Sequence, residues 1–220
     1  MMGQIIFAEQ GSIEWQQARC GHVTASRMAD ALSILKKGGD SAARKKIKAR
    51  IIAEILTGEP QDDDIGNLAA VRRGKEFEAQ ARTTYELQTG TMVDIVGFVR
   101  HLTIARFGCS PDGLVGSKGM TEFKVPLPTT HIEYLLAGGL PDDYEPQVHS
   151  GLSCNEDRDW CDFMSFCPEM PEHLQAFIVR VPRNPTRIAE IEDGVIEFNG
   201  QIDAIVEQLQ AKGAAYVAGA

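Results

Sequence analysis

The chain has 220 residues, 43% of them hydrophobic and 24% charged, which is typical of a globular protein long enough to bury a substantial core. It has no run of about 18 apolar residues and no basic segment at its N-terminus, so we expect no membrane association, no secretory signal and a cytoplasmic location. Its five cysteines form no Cys-x-x-Cys pair, which argues against a disulfide framework.

The distribution of charge matters more than the net charge of −9, which by itself is unusual for a protein that binds nucleic acid. Ten of the 22 basic residues fall into two clusters, at residues 36–50 and 72–75. Either cluster could be an ordinary solvated face. Together they could also form one positive surface on an acidic protein. The candidates for DNA binding in these clusters are Arg44, Lys45, Lys48, Arg72 and Arg73.

The N-terminal third is predicted to be helical. Apolar residues at helical spacing and capping residues predict helices at residues 12–19, 24–35, 41–56 and 67–88, with an acidic loop at residues 58–66.

The middle and the end of the chain are predicted to mix strands and helices. Strands are expected at residues 93–99 and 102–109, and the Asp112 turn with the strand ending at Val125 continues the same sheet. Helices at 129–136 and 142–154, strands at 158–166 and 174–181, and a closing helical region interrupted near 193–194 follow. The predicted fold is α/β, with a central mixed β-sheet flanked by helices in one domain of residues 1–220. The site lies within about 67–150, and residues 155–213 close the domain.

The residues with the clearest chemical pattern lie in the segment 108–125. Asp112 follows Pro111 in a turn, and Glu122 and Lys124 stand two residues apart on the next strand, hence on one face. Two carboxylates beside a lysine suit a hard divalent cation such as Mg²⁺. The ammonium can orient or activate a water and balance charge at an attacked phosphate. A purely structural amphipathic hairpin produces the same alternation, so this pattern alone leaves both interpretations open.

A second metal site, for zinc or an iron–sulfur cluster, is conceivable in the region 149–173. Its ligands would be Cys154, Cys161, Cys167, His149 and His173. These residues lack the close pairs that such sites use, so buried thiols are the favoured interpretation.

Four segments carry a wider pattern. They are Trp15-x-x-x-Arg19-x-Gly21-x-Val23-Thr24-Ala25-Ser26, Arg73-Gly74-Lys75-Glu76-Phe77-Glu78-Ala79-x-Ala81-Arg82, Cys109-Ser110-Pro111-Asp112-Gly113-Leu114 with Glu122-Phe123-Lys124-Val125-Pro126, and Gln147-Val148. In this order they resemble the phage λ exonuclease (YqaJ-type viral recombinase) family of the PD-(D/E)xK nuclease superfamily. The resemblance covers about residues 15–150 and implies a restriction-endonuclease-like core.

The resemblance also implies roles for single residues. Asp112 and Glu122 would bind metal together with the backbone carbonyl of Phe123, and Lys124 would position or activate the attacking water. The catalytic site would be completed by Glu78 and Gln147.

A pocket for a 5′-terminal phosphate is implied at Arg19, Ser26 and Ser110. A guanidinium and two hydroxyls suit a dianionic phosphate, because they supply charge-assisted hydrogen bonds. Arg19 could instead pair with Glu14, and Ser26 could cap a helix.

The function implied is Mg²⁺-dependent 5′-to-3′ digestion of one strand of linear double-stranded DNA, with release of 5′-mononucleotides and a remaining 3′ overhang. Two ions, with Mn²⁺ as a substitute for Mg²⁺, would lie about 3.5–4 Å apart. The family implies a ring-shaped homotrimer around DNA, with the basic helix lining its channel, and a single-strand annealing protein as partner. It also implies a phage or prophage gene expressed in the bacterial cytosol.

The sequence departs from the family in two places. His149 stands where a second glutamine is common, and no familiar motif follows residue 155. Three alternatives remain: another nuclease of the superfamily, such as an endonuclease or a CRISPR-adaptation-type exonuclease; a DNA-end-binding protein without catalysis; and an interaction protein with a structural hairpin. Cleavage of closed circles would indicate an endonuclease, and end binding without cleavage would indicate the second alternative.

Overall fold

The computed structural model describes residues 4–61 and 68–218. In these ranges the strands are β1 (Gln4–Ile6), β2 (Val23–Thr24), β3 (Val93–Asp94), β4 (Phe98–Arg100), β5 (Phe107–Cys109), β6 (Gly113–Val115), β7 (Gly119–Lys124), β8 (Trp160–Phe166) and β9 (Ala176–Pro182). The helices are α1 (Ile13–Arg19), α2 (Met28–Ala31), α3 (Ala42–Thr57), α4 (Leu68–Thr89), α5 (Pro128–Ala137), α6 (Glu145–Cys154) and α7 (Pro185–Ala218). Most of the predicted acidic loop, from residue 62 onward, lies outside the described residues. None of the helices described is long and apolar enough to cross a bilayer.

The strands form two mixed sheets rather than the single sheet expected. One has the order β1-β4-β5-β2 and the other the order β3-β6-β7-β8-β9. The predicted strand at residues 93–99 is therefore divided, because β3 pairs with β6 whereas β4 pairs with β1 and β5. Gly97 marks the division: a Cβ there would lie 2.3 Å from the carbonyl oxygen of Ile6. Only glycine permits this close crossing of the two backbones.

The second predicted strand, at residues 102–109, is reduced to β5. His101 explains the loss, because its Nδ1 accepts the backbone N–H groups of Thr103 (3.3 Å) and Ile104 (3.0 Å). The imidazole thus binds backbone donors that a strand would have paired with a neighbour.

The predicted helix at residues 24–35 is also shorter than expected. Val23 and Thr24 form β2, which pairs in parallel with β5, and a 3₁₀ turn at Ala25–Arg27 precedes the one-turn helix α2. The other early helices are confirmed, with Ser12 and Ser41 capping α1 and α3 through their side chains.

Helix α7 is continuous, so the interruption predicted near residues 193–194 is wrong. A Cβ at Gly194 would lie 2.5 Å from Cδ2 of Leu32. The glycine therefore permits close packing of α7 against the segment after α2. The inward residues Ile191, Val195 and Phe198 of α7 join the core with residues of α3 and the four-stranded sheet.

Arg44, one of the residues of α3 predicted to bind DNA, lies inside the fold and not on an exposed basic face. Its side chain is only 2% exposed, and its guanidinium lies 4.7 Å from the Phe198 ring centroid. It donates to Asp40 Oδ1 at 2.9 Å and to the carbonyl of Ala31. Lys48 also donates to Asp40, and to Gln201 at 2.7 Å. Both cations stabilise the fold, since a buried charge needs its partner nearby.

Replacing Asp40 by asparagine is expected to lower the free energy of unfolding by about 1–3 kcal/mol at pH 7, because Arg44 would remain buried without its carboxylate. The hydrogen bond from Lys48 and the charges of Lys48 and Arg44 lower the pKa of Asp40. A lowered folded-state pKa stabilises the protein above the unfolded value near 3.9, and this contribution disappears as pH falls through the folded value. Urea unfolding at several pH values measures the difference in the free energy of unfolding between the wild type and Asp40→Asn. This difference should have its full size above about pH 4 and should shrink below it. The matched control is the exposed Asp142→Asn, and an equal loss in both variants would contradict the assignment.

Candidate active site

The hairpin of β6 and β7 places Asp112 beside Glu122. Gly113 pairs with Thr121 in this antiparallel pair, so the next position along brings Asp112 opposite Glu122. The backbone N–H of Asp112 donates to the Thr121 carbonyl at 3.2 Å, and the N–H of Phe123 donates to Asp112 Oδ2. The backbone of β7 therefore holds the Asp112 carboxylate in place.

Glu122, Lys124 and Gln147 form one hydrogen-bonded group. Lys124 Nζ donates to Glu122 Oε1 at 2.6 Å and to Gln147 Oε1 at 3.3 Å. The amide of Gln147, from α6, also donates to Glu122 Oε1. The ammonium of Lys124 lies 4.9 Å from the ring centroid of Tyr144, a favourable cation–π position. Strand β7 and helix α6 thus orient the group together.

The electrostatics of this group favour a bound cation. Burial first, and then the neighbouring negative charges of Glu122 and Glu78, raise the pKa of Asp112 well above its ordinary value, against the lowering effect of Lys124. Burial disfavours the charged form of Lys124, but Glu122 and Asp112 outweigh it and raise the pKa of Lys124 overall. Negative groups exceed positive ones here, and a divalent cation would reduce the repulsion.

The ligands available fit a magnesium ion better than a transition metal. Within the described residues, no three His, Cys, Asp or Glu side chains are grouped closely enough to hold a metal ion by themselves, so a backbone carbonyl and waters would have to complete its coordination. Asp112, Glu122 and the backbone carbonyl of Phe123 offer only oxygen. Mg²⁺ commonly takes one or two carboxylates and keeps several waters, so this oxygen set suits it.

A cleft of about 910 Å³ lies beside these carboxylates and is lined by residues of α1, α3, α4 and the loop before α1. Glu78 of α4 lies on its wall, and the negative charge of Glu78 contributes to the raised pKa of Asp112. Gln10, also on the wall, donates to the carbonyls of Pro111 (2.9 Å) and Val96 (3.0 Å). These hydrogen bonds connect the wall of the cleft to the segment that carries Asp112.

Arg19 and Ser110 are joined directly. Arg19 donates to Ser110 Oγ at 3.0 Å, and Trp15 Nε1 donates to the same oxygen at 2.9 Å. The Arg19 guanidinium also lies 4.0 Å from the Trp15 ring centroid. Trp15 was not predicted as a site residue, although its position four residues before Arg19 on a helix indicates contact.

Ser26 lies at the same end of the sheet as Ser110. Because β2 and β5 are parallel neighbours, the residues that follow them emerge side by side. The Ser26 hydroxyl is 3.3 Å from Thr24 Oγ1, and Ser26 is exposed. Ser26 does not cap α2, whose N-cap position is held by Arg27.

The remaining residues predicted for DNA binding differ in their surroundings. Arg73 donates to both carboxylate oxygens of Glu169, at 2.7 and 2.6 Å, and to the Val125 carbonyl at 3.1 Å. The hydrogen bond from Arg73 lowers the pKa of Glu169 to about 2. Arg73 is thus engaged within the fold, as are Arg44 and Lys48, whereas Lys45 and Arg72 are exposed.

His149 does not join Gln147 at the carboxylates. Two residues further along α6, it lies on another side of the helix, with Nε2 3.5 Å from Glu145 Oε1. Burial lowers the pKa of His149, which disfavours its charged form.

The cysteines agree with the interpretation as buried thiols. Cys109, Cys154, Cys161 and Cys167 are buried, and Cys20 is half-buried. Cys154 packs in the core cluster that includes residues of α7, and Cys161 packs in the cluster that includes Met120 and Leu152.

The fold is that of the PD-(D/E)xK nucleases, with mixed sheets flanked by helices. A family model, the YqaJ-like viral recombinase domain, matches residues 14–157. The chain belongs to this family and is a nuclease of phage-type recombination.

Solved structures agree with this assignment. LHK-Exo, an alkaline exonuclease from Laribacter hongkongensis, is 40% identical, with 93% of this chain and 100% of that chain covered. The TM-score is 0.85 for its complex with dAMP and 0.84 for a second structure. A phage-related exonuclease from Haemophilus somnus 129PT is 13% identical over 86% of this chain and 96% of that chain, with a TM-score of 0.64, and supports the fold alone. No curated protein sequence matches the chain.

Proposed function

We propose that the chain is a divalent-metal-dependent exonuclease that digests the 5′-ended strand of linear double-stranded DNA from 5′-phosphorylated ends. The products would be 5′-mononucleotides and a 3′ overhang. One observation carries the proposal: the group of Asp112, Glu122 and Lys124 adjoins a cleft lined by Arg19, which donates to Ser110 just before the Asp112 turn. The dAMP bound to the 40% identical LHK-Exo supports a mononucleotide product.

In this proposal Asp112, Glu122 and the Phe123 carbonyl hold Mg²⁺, in two ions, with Mn²⁺ as a substitute. When bound, the metal supplies charge stabilisation and a more acidic water. In the metal-free site Glu122 and Asp112 raise the pKa of Lys124, which favours its ammonium form. As a cation, Lys124 would orient the attacking water and balance charge on the phosphate. The remaining members of the site are Gln147, which fixes Glu122, and Glu78, which faces the water from α4.

Arg19, Ser26 and Ser110 bind the terminal phosphate in this proposal. The Trp15 ring holds the Arg19 guanidinium from one side, which fixes the orientation of its donors. A phosphate held there sets the distance from the 5′ end to the bond that is cut. This arrangement would make cleavage specific for the terminal nucleotide.

The assembly state and the partner are also proposals. A ring-shaped homotrimer would place the exposed Lys45 and Arg72 near a central channel, and a single-strand annealing protein would receive the 3′ overhang. The family membership supports both.

The proposed function is tested with linear duplex DNA labelled at one end, carrying either a 5′-phosphate or a 5′-hydroxyl, with and without Mg²⁺. We expect Mg²⁺-dependent release of 5′-mononucleotides that is faster from phosphorylated ends and absent on closed circles. Cutting of closed circles would indicate an endonuclease. Tight end binding without cleavage would indicate a non-catalytic end-binding protein.

Replacing Arg19 by alanine is expected to reduce the preference for 5′-phosphorylated over 5′-hydroxyl ends by about 10- to 100-fold, the usual value of a hydrogen bond to a charged group. The rate on 5′-hydroxyl ends should change little, which makes that substrate the internal control. Arg19→Lys should lie in between, since lysine keeps the charge but not the paired donors. An unchanged preference in Arg19→Ala would exclude this pocket.

A further inference from the structure

Helix α4 presents two cations to the cleft, one on each side of Glu78. Lys75, Glu78 and Arg82 all line its wall. The spacing from Lys75 to Arg82 is seven residues, or about two helical turns, so both lie on one face about 10 Å apart along the axis. The ammonium of Lys75 also reaches the loop before α1, where a Cβ on Gly11 would lie 3.5 Å from Nζ.

Neither cation has a partner within residues 4–61 and 68–218. Several other basic side chains of the fold are paired with carboxylates, among them Arg73 with Glu169 and Arg106 with Asp203. Lys75 and Arg82 make no such ion pair or hydrogen bond in these ranges, although Glu78 lies three and four residues away. In a chain with a net charge of −9, two cations without partners on the wall of one cleft indicate an anionic ligand.

We propose that Lys75 and Arg82 bind two internal phosphates of the DNA strand that is being digested, one on each side of the phosphate near Glu78. The inference rests on the proposed function and adds to it. Successive phosphates of one strand advance by about 3.4 Å along the duplex axis, so cations about 10 Å apart match two phosphates roughly three steps apart, with about two phosphates between them. One of the phosphates between them then lies beside Glu78 and Asp112, and the two outer phosphates meet a cation each.

This role differs from that of Arg19. Arg19 would read the terminal phosphate, which is present or absent, whereas Lys75 and Arg82 would position a backbone that every substrate has. They should therefore affect salt dependence and KM, but leave the preference for a 5′-phosphate unchanged.

The experiment compares Lys75→Gln, Arg82→Gln and the double variant with the wild type. The matched control is Lys118→Gln, whose side chain is 59% exposed and paired only with the exposed Asp159. Binding of linear duplex DNA is measured in EDTA at about 50 to 200 mM KCl, and kcat and KM are then measured with Mg²⁺. Thermal unfolding of each variant verifies its folding.

Each single substitution should weaken DNA binding about tenfold. It should also reduce the magnitude of the slope of log K against log salt concentration by about 0.7–0.9, and the double variant should reduce this magnitude by about twice as much. KM should rise accordingly, while kcat at saturating DNA changes less than about threefold and the control matches the wild type. Arg82→Lys should restore the slope, because it restores the charge.

Wild-type slopes and KM values in Lys75→Gln and Arg82→Gln would overturn the inference, and continued cleavage would leave the proposed function standing. A loss confined to kcat would also overturn it, because phosphate positioning would then not be the role. A wild type that neither binds nor cleaves DNA would overturn both proposals together.

Discussion

Replacing Lys124 by alanine is expected to abolish strand cleavage, with a loss in kcat of at least about 10³-fold, while DNA binding stays close to that of the wild type. Lys124 is the only cation that donates to Glu122 within the described ranges. Its loss would remove the group that orients the water and balances the charge developing on the phosphate. Binding should persist, because Arg19 and the other cleft cations are unchanged.

The measurement is single-turnover cleavage of 5′-phosphorylated duplex DNA, together with binding in EDTA. Lys124→Arg should recover part of the activity, since it keeps the positive charge but changes its geometry. Lys118→Ala is the control for loss of a lysine. Cleavage by Lys124→Ala within about tenfold of the wild type would remove Lys124 from the mechanism.

The second large effect is expected at Asp112. Asp112→Asn should lose at least about 10³-fold in activity, because the site loses one of its two carboxylate ligands. The same change should stabilise the metal-free protein by about 1–2 kcal/mol, since active sites often hold like charges at the expense of stability. Asparagine can still accept the backbone N–H of Phe123, so the turn is preserved.

The sign of the stability change follows from the pKa. Burial and the charge of Glu122 raise the pKa of Asp112 in the folded protein. The charged carboxylate therefore destabilises the fold, and this effect begins above the unfolded value near 3.9 and grows as pH rises through the folded value. Asp112→Asn should have the stability of the wild type at about pH 4 and exceed it at pH 7.

Thermal unfolding with EDTA and with Mg²⁺ tests this prediction. Mg²⁺ should raise the Tm of the wild type, because it binds the folded state alone, and should have little effect on Asp112→Asn. Asp159→Asn, at the exposed position before β8 whose carboxylate pairs with Lys118, is the matched control. Equal stabilisation of wild type and Asp112→Asn by Mg²⁺ would exclude Asp112 as a ligand.

The sign of the stability change in Asp112→Asn distinguishes a catalytic role of Asp112 from a purely structural one. A hairpin whose acids served only the fold would lose stability when Asp112 is neutralised. The catalytic interpretation requires the opposite sign, since repulsion between Asp112 and Glu122 is relieved by a cation that the fold alone does not provide.

Local patterns determined much of what could be predicted. The period-two spacing of Glu122 and Lys124, with Asp112 in the preceding turn, placed the candidate site because alternation and turn chemistry act within a few residues. Caps at Ser12 and Ser41 and the apolar stripes of α3 and α4 are equally local. The confirmed elements are of this kind.

Tertiary structure decided the features that depend on distant partners. The division into two sheets depends on the N-terminal strand that crosses at Gly97, and the continuity of α7 depends on Leu32 beside Gly194. Composition could not show which cations are engaged, because Arg44 approaches Gln201 across 157 positions of sequence and Arg73 binds Glu169 across 96. With the hydrogen bonds of Lys48 to Asp40 and Gln201, these contacts engage three of the residues first considered for DNA binding. Lys75 and Arg82 cannot be told from these cations in the sequence. Folding places them on the wall of the cleft, with no carboxylate partner among the described residues.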